Sequence, residues 1–292
     1  MLDAGTYHKL TVARISDHGL YLADEEGNEV LLPNRYVSLG NHVGDTLDVF
    51  VYHDSEDRLI ATTEKPLARV GEVAFLRAVD KTAHGAFLDW GITAKDIFLP
   101  NRNMHGYVEP QHSYIVYVYR DSITGRAVAS MNLRSFISNY ELSLRRGEQV
   151  EMIVTQRTER GYRVVIRNRH WGMIYDNQIF ADVRVGDRLT GWVRRITDDN
   201  RVDVSLQQEG YDEVRTSADR LLALLDAAGG SLPLHDASAP EQVAALTGMS
   251  KKVFKRTVGY LMKRGEIGMS ESGITICHPE RSAGTEGSIA IP

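Results

Sequence analysis

The sequence predicts a mainly β protein with a C-terminal α+β unit, in which three tandem five-stranded barrels precede a winged helix-turn-helix. Two observations predict the barrels: a unit of 67 residues recurs along the chain, and each copy alternates apolar and polar residues in short runs. A third observation predicts the winged helix: after SLQQEG at 205–210 the strand rhythm stops and helical periodicity begins.

The repeat is visible in stretches that match in order. VYHDSEDRLIATTEKP at 51–66 returns as VYRDSITGRAVASMNL at 118–133, and LLPNR at 31–35 returns as FLPNR at 98–102, both displaced by 67 residues. HGLYLAD at 18–24 returns as HGAFLDW at 84–90. Matches at nearly one spacing indicate two copies of one module, over residues 5–65 and 70–138.

A third, divergent copy lies C-terminal to these two. VGDTLDVFV at 43–51 resembles VGDRLTGWV at 185–193, and TDDNRVDVSL at 197–206 repeats the charged turn and strand. The first half of this copy keeps the strand rhythm but lacks the His-Gly pair and the Pro-Asn-Arg.

Each copy divides into five short strands, which in the first copy are YHKLTVARIS, GLYLAD, EVLLP, TLDVFVYHD and RLIATTE. Gly, Asp and Asn clusters separate them, as expected for turns. A unit of about 65 residues with five strands has the size of a small Greek-key barrel of the oligonucleotide-binding (OB) kind.

The C-terminal unit reads as helix, helix, tight turn, helix and hairpin, the order of a winged helix-turn-helix. A helix is predicted over 216–230, with a Ser or Thr start and a glycine stop. A second is predicted over 238–248, with Ser238 and Glu241 in capping-box spacing. Met249-Ser250 then links to KKVFKRTVGYLMKRGEI, and IGMSESGITI reads as a hairpin that turns at Glu271-Ser272-Gly273.

The third of these helices is amphipathic. Phe254, Val258 and Leu261 fall on one side at 100° per residue. The other side carries the candidate nucleic-acid contacts Lys252, Lys255, Arg256 and Lys263. Clustered cations favour a nucleic-acid backbone, although a solvated lysine-rich face or a protein-binding module would carry the same pattern.

The predicted domains are therefore barrels over 1–66, 67–140 and 141–210, a winged helix over 211–278 and a disordered tail over 279–292. The chain of 292 residues has a net charge of −5, yet residues 1–66 alone hold 5 Lys+Arg against 12 Asp+Glu. The excess acid thus lies in the first barrel, and a nucleic-acid surface elsewhere is compatible with the total.

Other features exclude several classes of protein. The sequence contains no run of 18 apolar residues, so no membrane span is predicted. The N-terminus has no secretory pattern, and Cys277 is the single cysteine. A cytoplasmic location is therefore expected. Phosphate-binding glycine loops, H-E-x-x-H and Cys-x-x-Cys are absent. We expect no enzymatic activity, no cofactor and no metal, and we treat the chain as a monomer.

The order Asp-X-Gly-X-aromatic, apolar strand and Asp…Arg hairpin resembles the S1 RNA-binding domain. The resemblance implies an RNA face built from aromatics beside the glycine and an Asp and Arg at the last turn. In this sequence, the residues that correspond to this implied RNA face are Tyr21 and Phe87 after the glycine, His18 and His84 before it, Asp54 with Arg58, and Asp121 with Arg126. The family's His on the third strand is absent, because Pro33 and Pro100 stand there.

These contacts have competing interpretations. Alternation turns Tyr21 and Phe87 away from the core, where they could stack on bases or serve strand propensity alone. Strict alternation turns His18 and His84 inward as buried histidines, unless a bulge at the glycine reverses them.

The arginines are also ambiguous. Arg35 and Arg102 could reach phosphate or pin their loop by pairing with a nearby Asp. Arg58 and Arg126 could contact RNA or be solvated hairpin charges.

The whole arrangement resembles the conserved virulence factor B family over residues 5–278, most specifically in the Pro-Asn-Arg stretches, LPLHDASAPEQV and GMSKKVFKR. The resemblance implies a non-enzymatic protein that binds single-stranded RNA and regulates gene expression after transcription. Two alternatives stay open: a DNA-binding transcription regulator that uses the winged helix, and a scaffold that binds the ribosome or another protein partner.

Overall fold

The computed structural model describes residues 2–179, 182–207, 211–270 and 273–277. It divides into two compact units, Met1–Leu206 and Gln207–Pro292. The predicted tail over 279–292, and Glu271 and Ser272 of the predicted turn, lie outside the described residues. The predicted fold class is confirmed: the first unit contains three closed barrels of five strands, and the second is a small helical and sheet unit.

The strands lie close to their predicted positions. The first barrel comprises β1 (Thr6–Ser16), β2 (Gly19–Ala23), β3 (Glu29–Pro33), β4 (Thr46–His53) and β5 (Leu59–Thr62). The second comprises β6 (Val73–Lys81), β7 (Gly85–Ile92), β8 (Lys95–Pro100), β9 (Ser113–Arg120) and β10 (Ala127–Ser130). The third comprises β11 (Gln149–Thr158), β12 (Gly161–Ile166), β13 (His170–Tyr175), β14 (Arg188–Ile196) and β15 (Val202–Ser205). In each barrel the third strand pairs in parallel with the fifth.

Two local features let the short sheets close. The first strand of every barrel shifts register against the second, between Val12 and Arg14 in the first barrel, which bends and twists that strand. Gly19 begins β2 at a φ of 142°, and a side chain there would overlap the Leu32 carbonyl of β3. Gly161 has the same conformation in the third barrel. The glycine of the His-Gly motif is therefore a requirement of the barrel.

The fourth strand of the first two barrels is buried on both faces. In β4, Val49 and Val51 point into the first barrel's core, whereas Phe50 packs against the second barrel, with its ring centroid 5.4 Å from that of Trp90. In β9, Val116 and Val118 are internal, and Tyr117 stacks on Phe136 at 4.4 Å in the cluster that joins the third barrel. The apolar runs VFVY and IVYVY reflect this double burial.

Polar contacts reinforce both junctions. Arg120 pairs with Asp3 at 2.7 Å between the first two barrels. Between the second and third, the Val73 N–H donates to Asn168 Oδ1 at 3.0 Å, and Arg188 donates to the Val73 carbonyl at 3.1 Å. The three barrels are therefore packed modules rather than independent units on linkers.

The C-terminal unit has the predicted winged-helix order. It comprises α1 (Tyr211–Ala227), β16 (Ser231–Leu232), α2 (Pro240–Thr247), α3 (Lys251–Lys263), β17 (Ile267–Ser270) and β18 (Gly273–Ile276). The sheet order is β16-β18-β17, and Leu221, Leu225, Phe254 and Leu261 form the core. Among the described residues, no helix is both long and apolar enough to cross a bilayer.

Two predicted helix starts are wrong. α1 begins at Tyr211, before the predicted start at 216, because buried Val214 extends the apolar face of the helix by one turn. The capping box does not form, because Pro240 occupies the first turn of α2 and the Ser238 hydroxyl accepts from the His235 N–H at 2.9 Å. Ser250, predicted as a link residue, instead caps α3 by accepting from the Val253 N–H.

We expect Phe50→Ala to destabilise the protein by about 3–5 kcal/mol, because it removes an aromatic ring that is buried between two barrels. Urea unfolding measures this change. Tyr140→Ala, at a side chain that is 86% exposed, is the control and should change stability by about 0.5 kcal/mol or less. An unchanged midpoint for Phe50→Ala would show that the junction contributes little.

Candidate nucleic-acid interface

The candidate contacts of the second repeat converge on one cleft of about 770 Å³ beside the first barrel. Its lining includes the predicted residues His84, Phe87, Arg102, Asp121 and Arg126. It also includes Trp90, Lys95, Asp96, Phe98 and Ile123, and His53 from the first barrel. Sequence positions spread over more than 40 residues therefore form one concave surface with an aromatic wall and a cationic rim.

Phe87 and Phe98 form the aromatic wall. They are paired directly across β7 and β8, and their ring centroids are 5.2 Å apart at 45°. Both rings are half-buried, so each keeps an accessible surface. Phe98 was not among the sequence-predicted site residues, because Leu31 occupies the equivalent position in the first copy. The sequence feature that could have identified it is the phenylalanine that begins FLPNR, where the first copy has leucine.

His18 and His84 are exposed, so their interpretation as buried histidines is wrong. Each precedes the strand in a tight turn, where strand alternation does not apply. The asparagine of Pro-Asn-Arg holds this turn: the Asn101 side chain donates to the Ala83 carbonyl at 2.6 Å, and its N–H donates to the His84 carbonyl at 3.0 Å. Asn34 makes the same contacts in the first barrel. The motif therefore positions the histidine at the rim.

Asp121 organises the last turn of the second barrel. Its buried carboxylate accepts from the N–H groups of Thr124 and Ile123 at 3.0 and 3.1 Å, and from Arg102 Nη2 at 2.9 Å. The bond from the Thr124 N–H contributes most to lowering the pKa of Asp121 below its usual value. Arg102 is thereby pinned at one end, yet its side chain is 66% exposed and accessible from the cleft.

The two hairpin arginines differ. Arg58 pairs with Asp54 at 2.8 Å within its own turn. Arg126 does not pair with Asp121 as the equivalent positions suggest; it pairs with Asp57 of the first barrel, and this contact lowers the pKa of Asp57. The extra residue in the second turn displaces Arg126 toward the neighbouring barrel. It therefore ties the two barrels together at the edge of the cleft.

The equivalent surface of the first barrel is covered by its own side chains. The Arg14 guanidinium lies 3.4 Å from the centre of the Tyr21 ring and donates to Glu29 from two nitrogens. Arg35 lies over Tyr36 at 4.6 Å. Tyr21 faces outward as predicted, but its outer face is already occupied.

The third barrel replaces these groups with arginine. Its twelve basic side chains are all arginine. By strand register, Arg160 stands at the histidine position and Arg163 at the aromatic position. A depression of about 510 Å³ is lined by Arg160, Arg194 and Arg195 together with Tyr175 and two aspartates, Asp176 and Asp203.

In the winged helix, Lys252, Lys255, Arg256 and Lys263 lie on the exposed side of α3, opposite buried Phe254. The amphipathic assignment is confirmed in its geometry. Lys255 donates to Asp236 at 2.9 Å. Across the described residues, no cluster of His, Cys, Asp and Glu is arranged to hold a metal ion.

Comparison with known proteins agrees with these domains. The chain matches the S1 domain over residues 4–64 and 70–132, and the CvfB-like winged helix domain over residues 219–276. The uncharacterized protein YitL of Bacillus subtilis (strain 168) is 28% identical over 273 residues, which cover 91% of each chain. Conserved virulence factor B of Staphylococcus epidermidis (strain ATCC 35984) is 20% identical over 241 residues, which cover 80% of each chain.

Among solved structures, a multidomain protein with nucleic acid binding domains from Streptococcus pneumoniae TIGR4 aligns over 94% of this chain and 98% of its own. The sequence identity is 21% and the TM-score is 0.40.

The barrels and the matched domains define the class: this is a nucleic-acid-binding protein built from S1 domains and a winged helix. Its C-terminal domain matches the CvfB-like winged helix domain, its relatives include proteins named conserved virulence factor B, and the resemblance predicted from the sequence is confirmed.

We expect Asp121→Ala to destabilise the protein by about 1–3 kcal/mol at pH 7, because the turn loses an acceptor that serves several donors. The pKa of this carboxyl is lowered in the folded state, so its contribution is complete above the unfolded pKa of about 3.9 and is lost as the pH falls through the folded value. Urea titrations at pH 7 and under acidic conditions test this. A stability difference that persists unchanged in acid would contradict it.

Proposed function

We propose that this protein is a non-enzymatic RNA-binding protein that regulates gene expression after transcription. Its RNA is single-stranded, and the cleft of the second barrel is the main site of base contact. The observation that carries the proposal is the convergence of Phe87, Phe98, His84 and Arg102 on one accessible concave surface.

The chemistry of the cleft supports a single strand. Bases stack on exposed aromatic faces only when they are released from a duplex, and such stacking contributes about 1–3 kcal/mol per base. Arg102 at the rim offers a guanidinium that suits phosphate geometry. An aromatic wall with a cationic rim is the arrangement expected for a site that binds one or two nucleotides of an extended chain.

The other two barrels contribute to RNA binding in different ways. The depression that Arg160, Arg194 and Arg195 line on the third barrel supplies cations for the backbone. The first barrel, with its acidic balance and covered Tyr21, contributes mainly by completing the wall of the cleft. Regulation after transcription is what the family resemblance implies.

A second candidate, DNA binding through the winged helix, is favoured by the exposed cations of α3. Helices of this kind can enter the major groove, where their cations approach phosphates. A third candidate, a scaffold for the ribosome or another protein, would bind its partner independently of nucleic acid.

Fluorescence-anisotropy titration of single-stranded RNA tests the proposal. We expect Phe87→Ala to weaken binding by about 1–3 kcal/mol, because a stacking surface is removed, and we expect affinity to fall as salt rises. Tyr21→Ala is the matched control at the equivalent position of the first barrel, and it should have a smaller effect because Arg14 already covers that ring.

Two outcomes would contradict the proposal. If Phe87→Ala bound RNA as tightly as the wild type, the cleft would not be the base-contact site. If duplex DNA bound more tightly than RNA, and Lys252→Ala/Lys263→Ala abolished that binding, the DNA-binding candidate would replace it.

A further inference from the structure

The first two barrels place the same pair of groups at equivalent positions. An aromatic ring on the second strand, Tyr21 or Phe87, lies on the same face as a carboxylate on the third strand. That carboxylate is Glu29 in the first barrel and Asp96 in the second, each four residues before the proline that pairs with the motif glycine. The equivalence follows from position along the third strand, counted back from that proline.

In the first barrel a single side chain, that of Arg14, contacts both the aromatic ring and the carboxylate. The planar Arg14 guanidinium lies over the Tyr21 ring at 3.4 Å, and its Nε and Nη2 donate to Glu29 Oε2 at 3.2 and 2.9 Å. The pair therefore binds a flat group that stacks on the ring and presents neighbouring N–H donors to the carboxylate. The Glu29 bonds are also the main reason that the pKa of Arg14 is raised.

In the second barrel this internal guanidinium is missing. Asp80 pairs with Phe87 in the register where Arg14 pairs with Tyr21. Asp96 lines the cleft, and among the described residues its carboxylate has no hydrogen-bond or ion-pair partner. Its neighbour Lys95 instead donates to the Asp54 carbonyl at 3.2 Å. Burial and the nearby Asp89 charge raise the pKa of Asp96, and the Arg77 charge opposes them.

Guanine carries the same donor pattern as a guanidinium. Its N1–H and N2 amino group stand side by side on one edge of a flat ring, so one carboxylate can accept from both. Adenine and cytosine place an acceptor beside their amino group, and uracil places an acceptor on each side of its N–H. Phe98 and Asp96 are two residues apart on one face of β8, about 6–7 Å along the strand, which suits a base that stacks on one and bonds to the other.

We propose that the cleft of the second barrel binds a guanine base of single-stranded RNA, stacked on Phe87 and Phe98, with Asp96 accepting from its Watson–Crick edge. Arg14 occupies the corresponding place in the first barrel, which for that reason binds no base there. This inference rests on the proposed RNA-binding function and adds its base preference.

The test uses the full chain and fluorescein-labelled eight-nucleotide uridine RNAs with guanosine, adenosine or inosine at one central position. The wild type should bind the guanosine oligonucleotide at least about fivefold more tightly than the adenosine one. Inosine, which keeps N1–H but lacks the N2 amino group, should bind with intermediate affinity. Asp96→Asn should lose the guanosine preference, because an amide cannot accept from both donors.

Glu29→Gln is the matched control, because it makes the same chemical change at the equivalent position of the first barrel. It should leave the guanosine preference unchanged. Equal affinity of the wild type for guanosine and adenosine oligonucleotides would overturn the guanine inference and leave RNA binding intact. So would a preference that disappears in Glu29→Gln and survives in Asp96→Asn. If the wild type bound none of these RNAs, the proposed function itself would fail.

Discussion

Burial of the fourth barrel strand on both faces is the constraint on which the first unit depends. A five-stranded barrel of this size encloses a small core, so additional apolar burial must come from its outside. β4 supplies it by sending Val49 and Val51 inward and Phe50 outward, and β9 repeats the device toward the third barrel. Each of the first two barrels thus packs against the next one, and packed aromatic rings and polar contacts fix their relative positions.

The candidate site is a consequence of this packing. The cleft is lined mostly by the second barrel, but His53 of the first barrel contributes to its wall, and Arg126 is held at its edge by Asp57. Sequence repetition alone would place equal sites on both barrels. The structure makes them unequal, because Arg14 covers Tyr21 in the first barrel and Phe98 adds a second aromatic ring in the second.

Much of this architecture could be predicted from the sequence. Alternation and turn residues located the barrel strands closely, because a closed small sheet leaves little freedom in register. The 67-residue repeat identified the equivalent positions, and the amphipathic pattern located α3. Alternation also predicted the outward direction of Tyr21 and Phe87.

Other features depended on tertiary contacts that periodicity does not encode. The turn that exposes His84 is held by Asn101, which follows the third strand of the barrel, and the partner of Arg126 belongs to another barrel. The predicted start of α1 was wrong because an apolar residue one turn earlier extends that helix. The predicted cap of α2 was wrong because a proline occupies its first turn. The unequal roles of Glu29 and Asp96 emerge only when Arg14 is seen to pair with one of them.

The central claim is that single-stranded RNA contacts the cleft of the second barrel. Photo-crosslinking of the full chain to a single-stranded RNA that carries 4-thiouridine, followed by mass spectrometric mapping of the modified residues, tests it most directly. The account predicts crosslinks in the segments that contain Phe87 and Phe98, and far fewer at Tyr21. Crosslinks confined to the winged helix, with none on the second barrel, would contradict it.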